Sequence, residues 1–112
     1  MSGITTHILD TSRGRPAAGV PVTLSVEEGG GWKQLASATS DADGRVSNLL
    51  PGQRRDPLGT YRLRFEVHEY FTAHGVTGFY PYVEITFSVR DGGHYHVPLL
   101  LSPFGYSTYR GS

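Results

Sequence analysis

Two histidines occupy alternate positions of an otherwise apolar run, HYHVPLLLS at 94–102, and a third lies in TTHILD at 5–10. An imidazole titrates near neutral pH, so His7, His94 and His96 can each act as base, acid or hydrogen-bond donor. Arg45 closes a third stretch, SDADGR at 40–45. Its forked guanidinium suits a planar carbonyl or amide, and it suits a solvated turn equally well. The spacing leaves these readings open: His7 has Thr5 and Thr6 as nearby hydroxyl partners, and His94 lies close to the DGG turn at 91–93. His94 and His96 are the one close pair with metal-ligand spacing, but no cysteine or adjacent carboxylate completes a set, so no metal site is expected. The chain has no GxSxG, no P-loop, no dinucleotide fingerprint and no paired aromatic RNA-reading motif.

The elements that position these groups read as strands. In an extended run His96 shares a face with His94, Pro98 and Leu100, opposite the apolar face Tyr95, Val97, Leu99, Leu101. The same period-two pattern recurs at Val20, Val22, Leu24, Val26, at Tyr61, Leu63, Phe65, Val67, and at Val83, Ile85, Phe87, Val89. GGG at 29–31, DADGR at 41–45, DPLG at 56–59 and DGG at 91–93 punctuate the runs as turns, with glycine supplying positive φ. Shorter strands are expected near 4–9, 32–39, 45–49 and 104–109. Half-buried strands in this number need a second layer, so the expected fold is an all-β, two-sheet antiparallel sandwich of seven or eight strands. EYFTAHG at 69–75 is expected to form a short helix closed by Gly75. Pro98 cannot donate to a ladder, which calls for an edge, a bulge, or a missing N–H that points away from any neighbour. Arg54, Arg55 and Asp56 read as a charged loop, and Arg62, Arg64 and Glu66 as the polar face of a strand.

Composition sets the outer limits. At 112 residues the chain fits one domain, 1–112. Ten basic residues balance ten acidic ones, which gives no reason to expect nucleic acid as partner. The absence of cysteine removes disulfides and thiolate chemistry, and no apolar stretch has membrane length. MSGITTHILD shows neither a basic start with an apolar run nor a small-residue cleavage pattern, so a cytoplasmic protein is expected.

TTHILD, SRGRPA at 12–17, SDADGR, TYRLRF at 60–65, FYPYVEITF at 79–87 and above all HYHVPLLLSPFGYSTYRGS at 94–112 together resemble the 5-hydroxyisourate hydrolase branch of the transthyretin-like family. Departures such as Ile8 and Tyr82 keep the residue apolar or aromatic. The resemblance implies an eight-stranded sandwich with one short helix, assembled as a homotetramer whose active sites lie at subunit interfaces. It implies catalytic His7, Arg45 and His96, with Tyr109 and Ser112 of the terminal YRGS bordering the substrate. The implied reaction converts 5-hydroxyisourate, a purine-derived small molecule, to 2-oxo-4-hydroxy-4-carboxy-5-ureidoimidazoline without metal or cofactor. A non-catalytic small-ligand carrier of the same fold is the alternative.

Overall fold

Alternating burial turns the period-two runs into strands with one face inward. The computed structural model describes residues 3–47, 49 and 58–112. In chain order the elements are β1 (Gly3–Asp10), β2 (Arg15–Pro16), β3 (Pro21–Glu28), β4 (Gly31–Thr39), β5 (Arg45–Val46), β6 (Gly59–Phe65), α1 (Val67–Ala73), β7 (Val83–Val89), β8 (His94–Ser102) and β9 (Gly105–Thr108). One sheet runs β2-β1-β8-β9 with β5 also paired to β1, and the other runs β4-β3-β6-β7. The inner faces pack as expected: Val20, Val22, Leu24, Tyr61, Leu63, Phe65, Leu99 and Leu101 are all buried.

All pairings but one are antiparallel. β1 and β8 run parallel, with Thr5 opposite His96 and His7 opposite Pro98. A parallel pair needs a long crossover, and here the whole second sheet supplies it. The first and last long strands therefore lie side by side, which brings together two motifs about ninety residues apart.

Three local expectations shift. The helix begins two residues early, because Val67 leaves the strand and enters the core as the first of the helical set Val67, Tyr70, Phe71. Gly75, at φ +70°, closes it as expected. The turns at Gly29–Gly30 and Gly44 use positive φ, whereas the DGG turn does not: Asp91 Oδ1 accepts from Gly93 N and Tyr95 Oη instead. The third change is in strand lengths: of the stretch expected at 45–49, Arg45–Val46 forms the described strand and Leu49 N donates to Ile4 O beyond it, with two-residue β2 as an additional strand. Asp56 and Pro57 of DPLG, with Arg54 and Arg55, lie outside the described residues.

Pro98 fits none of the three expected places cleanly: β8 is an interior strand, between β1 and β9. Its carbonyl faces β9, where Thr108 Oγ1 donates to it at 2.7 Å, so its missing N–H lies on that side too. The β8–β9 ladder ends at Leu99–Thr108, and the chain rejoins β8 beyond the proline, at His96–Gly111. The proline thus interrupts the β8–β9 ladder, which resumes in the same register beyond it.

Candidate active site

Parallel register sets the first part of the site. Thr5 Oγ1 lies 2.8 Å from His96 Nδ1 and 3.0 Å from His94 Nε2, so one hydroxyl bridges both histidines of the HYH motif. Its neighbour Thr6 is buried and donates to the Val97 carbonyl, fixing the two strands from the other face. Among the described residues, no group of three or more His, Cys, Asp or Glu is arranged to hold a metal ion.

The second part arrives through a turn that only glycine can make. Gly44 sits at φ +75°, and a Cβ there would collide with the Ile8 carbonyl and stand 3.2 Å from Pro16 Cβ. With no side chain, the turn settles onto β1 and Ile8 N donates to Gly44 O at 2.7 Å. Arg45 is thereby placed opposite His7 in the β1–β5 ladder. Asp41 holds the turn by accepting from the backbone of Asp43 and Arg45, leaving the Arg45 side chain exposed and without an ion pair among the described residues.

The third part is the tail. Gly111 N donates to His96 O at 2.8 Å, which ties down an end that would otherwise fray. A Cβ on Gly111 would stand 2.5 Å from His96 Cδ2 and 3.3 Å from Cγ, so this glycine is the one residue that lets backbone lie against the imidazole. Thr5, Thr6, Arg45, Ser47, His94, His96 and Ser112 line one open hollow of about 220 Å³. Of the five residues that the family resemblance implies for the site, Arg45, His96 and Ser112 meet there, and His94, also singled out from sequence, joins them. His7 is half-buried beside Arg45, near enough for its charge to act on His96, but it does not line the hollow. Tyr109 is exposed and lines a different, apolar hollow with Ile85, Phe87, Tyr95 and Val97. Thr5 and Ser47 were not singled out from sequence. Thr5 shares the strand face of His7, a visible signal, but nothing in the sequence gives the β1–β8 register that sets it opposite His96.

Electrostatics favour an uncharged His96. Burial is the largest cause holding it below the ordinary imidazole value, followed by electrostatic repulsion from His7, His94 and Arg45, with a hydrogen bond to the Thr5 backbone opposing them. A neutral imidazole, a guanidinium with free donors and a hydroxyl-lined hollow can together deprotonate water and hold a carbonyl oxygen that gains negative charge.

The profile of the HIUase/transthyretin family matches residues 4–111. A protein named 5-hydroxyisourate hydrolase from Halalkalibacterium halodurans is 48% identical over 119 residues, covering 100% of both chains. The structure of Klebsiella pneumoniae 5-hydroxyisourate hydrolase superposes with a TM-score of 0.85 at 38% identity, over 98% of this chain and 99% of that one. Sea bream transthyretin in complex with thyroxine gives 0.89 at 38% identity, over 96% and 93%. With its sandwich, its motifs and these likenesses in agreement, the chain belongs to the HIUase/transthyretin family.

Proposed function

We propose that this single-domain chain, 1–112, hydrolyses 5-hydroxyisourate to the ring-opened ureidoimidazoline acid in the cytoplasm, with His96 as the base that activates water. The observation that carries the reading is the convergence of Arg45, His96 and Ser112 on one polar hollow, beside His7. Water attacks a ring carbonyl as its proton passes to the imidazole, a contribution of about 10² to 10⁴ in rate. Arg45 holds the carbonyl oxygen as charge develops on it, worth about 10² to 10³. The amide-like C–N bond then breaks, and the proton held by the imidazole goes to the departing nitrogen. His7 orients substrate beside Arg45, and Ser112 offers its hydroxyl as a further polar contact.

The working form is a homotetramer. The hollow is open in one chain, and Phe79 and Phe104 are 69% and 74% exposed, more apolar surface than an isolated sandwich needs. Burying these aromatics between subunits would exclude water from the hollow and strengthen each polar interaction inside it. Tyr109 contributes through that assembled interface, as an aromatic wall. Carriage of a small ligand is the rival reading, favoured by the likeness to transthyretin; a carrier has little use for a neutral base beside an unpaired arginine.

The test follows substrate generated in situ by urate oxidation, with product identified by mass spectrometry as the substrate plus one water. Turnover above spontaneous decay is expected. Saturable binding without turnover would replace the hydrolase reading with the carrier.

A further inference from the structure

The Thr5 hydroxyl stands between two ring nitrogens, His94 Nε2 at 3.0 Å and His96 Nδ1 at 2.8 Å, yet it owns a single proton. When it donates to one neutral imidazole it accepts from the other, and the direction of that proton then decides the tautomer of both rings. Pointed at His94, it requires a hydrogen on His96 Nδ1 and leaves His96 Nε2 with a free lone pair. Pointed at His96, it puts the hydrogen on Nε2 and removes the base. We propose that Thr5 and His94 are positioning residues that lock His96 in the Nδ1–H tautomer, with Nε2 free to take the proton of the attacking water. The assignment rests on the hydrolase reading of the hollow and deepens it.

The surroundings of His96 fit that direction. Gly111 covers the Cγ–Cδ2 edge of the ring, Thr5 holds Nδ1, and no hydrogen bond among the described residues reaches Nε2, so the Nε2–Cε1 edge is the free one. His94 is exposed and can carry its own hydrogen on Nδ1, leaving Nε2 to accept from Thr5. The groups that face His96 from β1, β5 and β8 are His7, Arg45 and His94, and burial, with the fixed charge of the Arg45 guanidinium nearby, keeps the ring neutral between turnovers. When Nε2 takes the water's proton, the Nδ1–H bond to Thr5 becomes charge-assisted with no side chain having to turn. Nε2 then returns that proton to the departing nitrogen, and the ring is back in its starting tautomer.

The tautomer can be read without substrate. Histidine-selective ¹⁵N labelling of the full-length assembled protein, with long-range ¹H–¹⁵N correlation at neutral pH, is expected to show His96 protonated at Nδ1 and unprotonated at Nε2. Thr5→Ser keeps that pattern. Thr5→Val, which keeps the shape and deletes the hydroxyl, shifts His96 toward the Nε2–H form, and so does His94→Phe, whose site is exposed. In parallel assays Thr5→Val lowers kcat by about 10- to 100-fold with KM little changed, and Thr5→Ser restores it. An Nε2–H ring in the wild type overturns the proposal, as does a Thr5→Val or His94→Phe protein that keeps the Nδ1–H form. A wild type that shows the tautomer and its loss in Thr5→Val, but hydrolyses nothing, supports the tautomer lock and sinks the hydrolase reading.

Discussion

The two ends of β1 each hold a polar cluster, and they differ in how completely their hydrogen-bonding groups are matched. At Asp10, which is 1% exposed, both carboxylate oxygens are occupied: Oδ1 accepts from Ser12 N, Ser12 Oγ and Arg13 N, and Oδ2 accepts from Tyr70 Oη at 2.7 Å. That cluster ties the strand end to its own turn and to α1, and it has nothing left to offer a ligand. At Thr5 and His7 the opposite holds. One hydroxyl is shared by two imidazoles, His96 Nε2 is unoccupied, and Arg45 has no carboxylate in ion-pair contact among the described residues. A completed network holds a fold together; one with donors and acceptors left over, gathered on a hollow, is equipped for chemistry.

The largest effect that would break this contrast is expected at His96. His96→Ala should lower kcat by about 10² to 10⁴, measured beside particle mass to show that assembly is intact. Arg45→Ala should cost about 10² to 10³ in kcat/KM. It should also move the acid limb of the pH–rate profile upward: burial and neighbouring charge hold His96 below the ordinary 6.5, and one of those charges is then gone. Gly111→Ala sharpens the comparison, because it adds a methyl against the His96 ring while removing no catalytic group. Its kcat should fall by up to about 10², the scale of a misplacement of about 1 Å, with little change in unfolding.

At the other end of the strand, Asp10→Ala should destabilise the fold by about 1–3 kcal/mol, because it strips a buried tyrosine hydroxyl and two backbone amides of their acceptor. Turnover per folded molecule should be unchanged. Although burial opposes it, the Asp10 carboxyl sits below its ordinary value because Ser12, Tyr70 and the backbone N–H of Arg13 and Ser12 favour the charged form. Its stabilisation is therefore present above the unfolded value of 3.8 and lost as pH falls through the lower folded one. His96 adds loss on the same side: the unfolded ring gains its proton first as pH drops below 6.5, which favours unfolding. Denaturant unfolding from pH 7 to 3 should show both losses in the wild type, and the deeper one absent from Asp10→Ala.

Much of this was legible in the sequence because burial in strands repeats every second residue. The inner faces of β3, β6 and β8 could be written down from Val22, Leu63 and Leu99 alone. Val67 misled for the same reason: it is buried in the helix as it would be in a strand, so its apolar character carries no information on which element it joins. His96, Arg45 and Ser112 were identified through motifs of the family, not through spacing. What the sequence hid was long-range register. Nothing local tells that β1 and β8 run parallel, that Thr5 therefore faces His96, or that Tyr70 reaches Asp10 sixty residues away. Tyr109 is the converse case, since its motif is plain, but its own chain turns it toward a different hollow.

The most direct measurement of the central claim sets wild type, His96→Gln and Asp10→Ala side by side at equal concentrations of folded protein, following absorbance of freshly generated 5-hydroxyisourate. The expected result is decay well above the spontaneous rate for wild type and Asp10→Ala, and decay close to the spontaneous rate for His96→Gln. Equal rates in wild type and His96→Gln, or no enhancement by any of the three, would contradict it.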